Sequence, residues 1–273
     1  ATQDNLKRLQ KRGISFVGPA FGSQACGETG AGRMEEPASI VEFLSQLRPF
    51  LERGALLEGR HVIVTAGPTF EDIDPVRFIG NRSSGRMGFA IAQAAHEAGA
   101  RVTLIAGPVQ LDTPVGVERL DVRSAVEMRD QALALAPAAD VFISVAAVAD
   151  YRPANMADQK IKKGLPEQTI QLVSNPDIVA EVAALPDRPL TVGFAAETEN
   201  LHAHALEKLS RKRLDMIAAN RVGQEGSGFE SEQNEIMLLT PDGKQDLGNG
   251  SKQTLSQQLV VAVSDLLRDE GDH

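Results

Sequence analysis

From His61 onward, short runs rich in β-branched residues alternate with longer amphipathic stretches, and no other feature limits the fold of this chain as strongly. Such alternation predicts strands joined by crossover helices that feed a parallel sheet. Strands are expected at 61–66, 101–106, 116–122, 140–147, 168–173, 190–196, 215–220 and 234–240, and helices at 84–98, 124–135, 176–185, 201–213 and 251–269. The runs Val62-Ile63-Val64, Val102-Thr103-Leu104-Ile105 and Val141-Phe142-Ile143 are apolar on both faces, as they must be when helices cover both sides of the sheet. Helix ends are marked as well: Ser83 or Ser84 can cap the helix that follows, Gly99 comes after it, and Asn175-Pro176 pairs a capping side chain with a helix-starting proline. Asp242-Gly243 reads as a hairpin turn. The expected fold class is therefore α/β, a three-layer, doubly wound, mostly parallel sheet. Residues 1–58 look different, with a glycine-rich stretch at 18–32 and a helix expected at 40–53, so the boundary of the α/β domain is placed at 59.

Composition narrows the functional classes. Apolar residues make up 42% of the 273 and charged ones 24%, which allows a full core and rules out disorder as the main state. The longest apolar stretch, 141–149, falls far short of the roughly 18 residues that cross a membrane. Together with the lack of a secretory pattern at the first residues, this leads to the expectation of a cytoplasmic protein. A net charge of −9 argues against a general nucleic-acid surface, so any anionic ligand must be held by local groups. Cys26, the single cysteine, cannot form an internal disulfide or a thiolate metal cluster. His61, His96, His202, His204 and His273 lack the spacing of a metal site or a Ser-His-Asp relay, and are read as surface or hydrogen-bonded core residues.

Ligands of open α/β sheets gather at the carboxyl ends of strands, so the loops there carry the chemistry. The loop after the first strand runs from Thr65 to Gly85, against about two to six residues for an ordinary strand-to-helix connection. At its end Ser83, Ser84 and Gly85 offer backbone donors at the positive end of a helix, either as a phosphate site or as a simple cap, with Gly88 permitting close approach. Neither the tight Gly-x-Gly-x-x-Gly turn nor the Gly-x-x-x-x-Gly-Lys-Ser/Thr loop occurs here. The second loop presents Asp150, which can hold magnesium, bind a ribose hydroxyl or cap a turn. Lys160, Lys162 and Lys163 follow, a solvated face or an anion partner. A third loop covers 173–179 around Asn175, and a fourth contains Phe194, a core residue or a platform for a base. Lys208 and Lys212 share one helical face, whereas Glu207 and Arg211 form a surface pair.

Together these loops resemble a known family. TAGPTFEDIDPVRFIGNRSSGRMG (65–88), AAVADYRP (146–153), KIKK (160–163), NPDI (175–178), VGFAAET (192–198) and DMIAAN (215–220) are similar to the phosphopantothenate–cysteine ligases of coenzyme A biosynthesis. The likeness runs from about 59 to 267 and implies a Rossmann-like or ribokinase-like fold. It also implies joining of 4'-phosphopantothenate to L-cysteine through an acyl-cytidylate made from CTP with Mg²⁺, pyrophosphate leaving first and CMP second. By this resemblance Asn81 binds the intermediate, Arg77 helps hold the pantothenate portion, and Lys160 neutralises charge during acyl transfer. The CTP site would comprise Ser144, Val145, Ala146, Asp150, Pro176, Asp177, Ile178, Val179, Phe194, Lys208 and Lys212, with Asp150 also the candidate metal ligand. Upstream, residues 1–6 and 25–34 resemble the end of the flavin-dependent decarboxylase that bacteria fuse to this ligase, in which Cys26 matches a proton donor and FMN is a cofactor of the full-length protein. The resemblance further implies a homodimer, with 151–173 a candidate dimer element, and a larger assembly at full length. A nicotinamide-dependent oxidoreductase, a non-catalytic scaffold and an ATP-using version of the ligase are the competing readings.

Overall fold

The computed structural model describes residues 5, 9, 14, 16–23, 29–52, 55–162, 167–197, 201–221 and 233–269. Two compact units are present, Ala1–Gly54 and Ala55–His273. In the first, strands β1 (Ala20–Ser23) and β2 (Thr29–Arg33) pair antiparallel, and helix α1 (Pro37–Glu52) follows. This helix starts earlier than expected because a proline suits the first helical turn.

The second unit contains β3 (His61–Ala66), β4 (Phe70–Asp72), β5 (Phe78–Gly80), α2 (Arg86–Glu97), β6 (Arg101–Ala106), β7 (Glu118–Asp121), α3 (Ala125–Leu135) and β8 (Val141–Ser144). It continues with β9 (Tyr151–Pro153), β10 (Leu172–Ser174), α4 (Ile178–Ala183), β11 (Leu190–Glu197), α5 (Leu201–Lys212), β12 (Met216–Arg221), β13 (Gln233–Thr240), β14 (Gly243–Ser251) and α6 (Lys252–Asp269). The main sheet runs β14-β13-β12-β11-β8-β3-β6-β7. Strands β12 to β7 in that order are parallel, and β13 and β14 form an antiparallel hairpin at one edge. Counting only the parallel strands along the chain, the spatial order is 3-2-1-4-5-6, that of the doubly wound nucleotide-binding sheet. The order reverses between β3 and β8, which pair directly from Val62 to Thr65. All six residues of β3 are buried, as a central strand covered on both faces requires.

The expected α/β class holds, with local corrections. The strand expected at 168–173 does not join the sheet; Leu172–Ser174 pairs antiparallel with β9 in a separate ribbon. Neither Ser83 nor Ser84 caps α2: the cap position is Gly85 at φ 74°, without a side-chain acceptor. Helix α4 is capped by Asp177, which accepts from the Ala180 amide, and not by Asn175.

Charged pairs tie the amino-terminal edge of the sheet. Asp140 accepts from the His61 amide and from Arg60, each at 2.7 Å, and Asp215 accepts from the Thr191 amide and hydroxyl and from Arg188. Burial alone would raise the Asp215 carboxyl, yet the Arg188 and Thr191 hydrogen bonds bring it below its ordinary value. His61 is a hydrogen-bonded core residue, with its ring nitrogens 3.2 Å from the Ala138 carbonyl and 2.9 Å from the Thr103 hydroxyl.

At the opposite edge, three glycines set the approach of α2 to β3. Gly67 and Gly85 both have positive φ, and a Cβ on Gly85 would lie 3.5 Å from the Gly67 Cα. A Cβ on Gly88 would stand 2.5 Å from the Ala66 Cβ and 3.2 Å from the Thr65 carbonyl oxygen. Alanine is favoured over glycine within a helix by about 1 kcal/mol, whereas overpacking against a rigid strand costs about 1–3 kcal/mol. Gly88→Ala should therefore lower the thermal midpoint. The matched Gly243→Ala, where nothing lies within 4 Å, should leave it nearly unchanged, as thermal unfolding followed by circular dichroism would show.

Candidate functional site

A cavity of about 550 Å³ opens at the carboxyl ends of β3, β8, β11 and β12. Its size lies within the usual range of ligand pockets. Each of the four loops singled out from the sequence supplies part of its wall: Gly67, Asn81 and Ser83–Gly88; Ser144–Asp150; Asn175–Val179; and Phe194–Ala195.

The long first loop is a rigid hairpin. Phe70 and Phe78 stack across β4 and β5 with ring centroids 3.8 Å apart. The Arg123 guanidinium lies 5.6 and 5.9 Å from those rings and makes two 2.7 Å bonds to Asp72, and the Arg123 bond holds the Asp72 carboxyl below its usual value. Glu71, buried, accepts from the Ala125 amide at the start of α3. Asp74 has no exposed side-chain surface and accepts from Arg77 and from the amides of Val76, Arg77 and Ile161. The Arg77 hydrogen bond comes first among the causes that hold the Asp74 carboxyl far below the ordinary carboxylate range. The acidic residues of this loop thus build a scaffold and do not face the cavity.

That scaffold carries Asn81 to the cavity wall, where its side-chain amide donates to the Val148 carbonyl at 2.9 Å. Opposite, the β8 loop is held by buried threonines. The Thr65 hydroxyl accepts from the Val145 and Ala146 amides, Gly67 accepts from the Ala147 amide, and Thr69 accepts from the Ala149 amide. With these donors engaged, most of the loop can offer a ligand only acceptors. Asn175 staples the second loop to the third: its amide nitrogens donate to the Ala149 and Asp150 carbonyls, and its side-chain oxygen accepts from Arg152.

Ser83, Ser84, Gly85, Ser144, Val145, Ala146, Asp150, Pro176, Asp177, Ile178, Val179, Phe194 and Lys212 all meet the cavity, as does Asn81. Lys212 reaches it paired with Asp177 at 2.8 Å. Three expected residues do not line it. Arg77 is committed to Asp74 and to the Ile161 carbonyl at 3.0 Å. Lys160 is exposed on the segment that these contacts tether to the hairpin, so it stands beside the element that bears Asn81 without facing the cavity. Lys208 lies one helical turn before Lys212 and outside the lining, while the expected Glu207–Arg211 pair is present at 3.4 Å on an exposed face. Lys163, His273 and Cys26 lie outside the described residues. Asp150 is exposed at the cavity wall, and among the described residues no group of three His, Cys, Asp or Glu is placed to hold a metal.

Four lining residues are given no role by the sequence: Met87 and Asn220, which lie in the motifs at 65–88 and 215–220, and Asn234 and Lys252, which lie in none. The last two come from β13 and α6, whose place beside the cavity follows from the antiparallel return of the sheet edge. The glycine fingerprint, missing as a contiguous motif, is present in space: Gly67 makes the turn, Gly85 opens the helix and Gly88 allows its close packing, with residues 68–84 inserted between the first and second. The signal available in the sequence was the Gly85-x-x-Gly88 spacing at a helix start.

Comparison with known proteins agrees with this arrangement. Residues 57–267 match the family described as DNA/pantothenate metabolism flavoprotein C-terminal domain. The chain belongs to this family. It is 51% identical over 270 residues to the coenzyme A biosynthesis bifunctional protein CoaBC of Vibrio parahaemolyticus, covering 98% of this chain and 67% of that one. The CoaBC protein of Escherichia coli is 49% identical over 268 residues, covering 96% of this chain and 65% of that one. The chain thus spans about two thirds of the length of these curated relatives. A solved structure of the C-terminal domain of a CoaBC protein is 35% identical and superposes with a TM-score of 0.68, covering 79% of this chain and all of that one. All the residues that line the cavity fall within the matched span. No helix among the described residues is long and apolar enough to cross a membrane.

The Asp74 cluster yields a pH test. Its folded pKa is depressed, so its contribution to stability is complete above the unfolded value near 3.8 and fades as pH falls below it. Asp74→Asn should lower the thermal midpoint at pH 7, with the gap to wild type closing only below about pH 4. A gap unchanged across that range would remove the carboxylate from the scaffold.

Proposed function

We propose that this chain joins the carboxylate of 4'-phosphopantothenate to the amine of L-cysteine through an acyl-cytidylate, in the biosynthesis of coenzyme A. The observation that carries this reading is a cavity at the strand-order reversal whose wall lies wholly within the span matched to the family. A carboxylate is a poor acyl donor because it would have to expel oxide. Transfer of CMP from CTP, with loss of pyrophosphate, converts that oxygen into a leaving group. The cysteine nitrogen then forms the amide bond while the C–O bond to CMP breaks and the amine gives up a proton.

The residues fit these steps. The backbone at Ser83–Gly85 opens α2 and suits phosphate oxygens, and Lys212 adds a cation to the same cavity. In the β8 loop, acceptors suit the exocyclic amino group of cytosine; the O4 of uracil would face them as a second acceptor. Phe194 offers a stacking surface. In this reading Asn81, at the cavity wall, would hold the acyl intermediate, and Lys160, which lies outside the wall, would have to reach in from beside the hairpin to balance charge as the acyl group is transferred. Mg²⁺ bound through phosphates needs only one or two protein carboxylates, and Asp150 at the cavity fits that demand. When bound, the ion neutralises charge on the triphosphate.

A second copy of this chain is the proposed partner, meeting it across the β9–β10 ribbon, where Tyr151 and Leu172 are 52% and 43% exposed. In a full-length bifunctional protein, residues 1–58 would complete an FMN-dependent decarboxylase with Cys26 as its proton donor. No described residue is assigned to FMN. A cytoplasmic location accords with small, polar substrates.

The decisive assay supplies phosphopantothenate, L-cysteine and Mg²⁺ with each nucleotide in turn. CTP should yield CMP and pyrophosphate in equal amounts. Replacement by UTP should lower kcat/KM by about a hundredfold or more, because the loop's acceptors would be left facing an acceptor. Nucleotide-independent product, or none with any nucleotide, would overturn the reading. For the side chains, Lys160→Gln should retain CTP binding while product formation falls steeply, and Asn81→Asp should impair turnover more than thermal stability. Near-normal turnover in either variant would remove that residue from the mechanism.

A further inference from the structure

Arg152 on β9 stands just past the β8 loop, outside the cavity wall, and takes no part in the steps proposed for the reaction. It is half-buried, and its Nη1 donates to two neutral acceptors, the Ser174 carbonyl at 2.7 Å and the Asn175 Oδ1 at 3.1 Å. Register explains the meeting. Arg152 pairs with Val173 across the antiparallel β9–β10 ribbon, so the next two residues of the chain, Ser174 and Asn175, leave the ribbon within reach of its guanidinium. From there the chain enters the cavity wall.

Asn175 is the residue through which Arg152 meets that wall. Its backbone amide donates to the Asp150 carbonyl and its Nδ2 to the Ala149 carbonyl, each at 2.8 Å, while its Oδ1 accepts from Arg152. The two ends of a carboxamide are nearly alike in shape, so partners choose its orientation. Here the Ala149 carbonyl demands a donor and Arg152 demands an acceptor, and both select the same one. Ala149 is 2% exposed, and its own amide donates to the Thr69 hydroxyl at 3.0 Å. The end of the β8 loop is therefore clamped between Thr69 on one side and Asn175 on the other. Beyond Asn175 the third loop continues into Asp177, which caps α4 and pairs with Lys212. The four bonds from Arg152 and Asn175 thus tie two walls of the cavity together from behind.

We infer that Arg152 is a positioning residue for nucleotide selectivity: acting through Asn175, it fixes the β8 loop where the loop's carbonyl acceptors meet the exocyclic amino group of cytosine. The inference rests on the ligase reading for the identity of the nucleotide, CTP. Arg152 touches neither the reacting phosphorus nor the acyl carbon, and its work is confined to the geometry of the wall. Hydrogen bonds weaken steeply when their angle is spoiled, so a displaced acceptor penalises the nucleotide that uses it. UTP gains nothing from those acceptors and loses little when they move. Loss of Arg152 therefore harms the correct nucleotide and spares the wrong one, whereas loss of a residue that only supported the fold would harm both alike.

Product formation by the intact chain with CTP and with UTP tests this. Arg152→Met should lower kcat/KM for CTP about tenfold, the worth of roughly one hydrogen bond, with the loss carried by KM. The kcat at saturating CTP and the kcat/KM for UTP should stay within about twofold of wild type, so the preference for CTP falls about tenfold. Asn175→Ala should lose as much of that preference, and adding Arg152→Met to it should cost nothing further, because the guanidinium acts through that carboxamide. Should Arg152→Met fail to fold, Arg152→Lys carries the test: its ammonium donates from a shorter stem and should still lose part of the preference. Equal losses for both nucleotides or an unaltered preference in the folded Arg152 variant would overturn the assignment, as would additive losses in the double variant. If wild type forms no product with any nucleotide, the ligase reading fails, and calorimetric titration with CTP and UTP decides the role of Arg152. Tighter binding of CTP by wild type that falls toward that of UTP in Arg152→Met supports it; equal binding, or none, by wild type overturns it.

Discussion

The close approach of α2 to β3 is the constraint on which the site depends. Gly88 lets the helix backbone lie against Ala66, and Gly67 and Gly85 turn the chain on either side of the inserted hairpin. Moved outward by the width of a methyl group, the helix would withdraw its first turn from the reversal point between β3 and β8, where the other loops converge. The fingerprint is thus a set of backbone distances, and an insertion between its first two members leaves those distances intact.

Charge is divided between the two edges of the sheet. At the amino-terminal edge Asp140 and Asp215 are satisfied by Arg60, Arg188 and the first amides of neighbouring strands, which stabilises strand alignment. At the carboxyl edge the Asn220 Oδ1 accepts no hydrogen bond among the described residues. The hairpin from Phe70 to Gly80 puts four charged residues to structural use, Arg77, expected at the substrate, among them. Glu71, Asp72, Asp74 and Arg77 are consumed in fastening the hairpin to α3, Arg123 and Ile161, and this rigidity presents Asn81. A loop of this length without such fastening would pay the entropy of ordering each time a ligand bound.

Which parts were legible from sequence follows from the range of the physics involved. Strand and helix periodicity is local, so the six parallel strands and their helices were readable, as was the Asp242-Gly243 turn; for His61 the sequence left surface and hydrogen-bonded core both open, and the structure decides for the core. Caps were less so: Gly85 and Asp177 displaced the expected Ser83 or Ser84 and Asn175, because a cap is chosen by where the neighbouring loop pulls the side chain. Asn175 is pulled to the β8 loop and Ser83 accepts from Gly85. Of the strand expected at 168–173 only Leu172 and Val173 are in a strand, and its partner is the short ribbon strand β9 instead of the main sheet, since pairing in a sheet is a non-local event.

Residue order alone determined the α/β class, the loops that would carry the chemistry and the family to which they belong, since those loops are contiguous stretches whose residue types are their own signal. Tertiary structure decided that Arg77 and Lys160 stand outside the cavity wall and that Asn220, Asn234 and Lys252 stand within it. The physical reason is register: the antiparallel return of β13 brings Asn234 onto the face of Asn220, and the turn into α6 delivers Lys252 beside them. No spacing along the chain encodes that meeting, because it exists only once backbone hydrogen bonds between strands have aligned them.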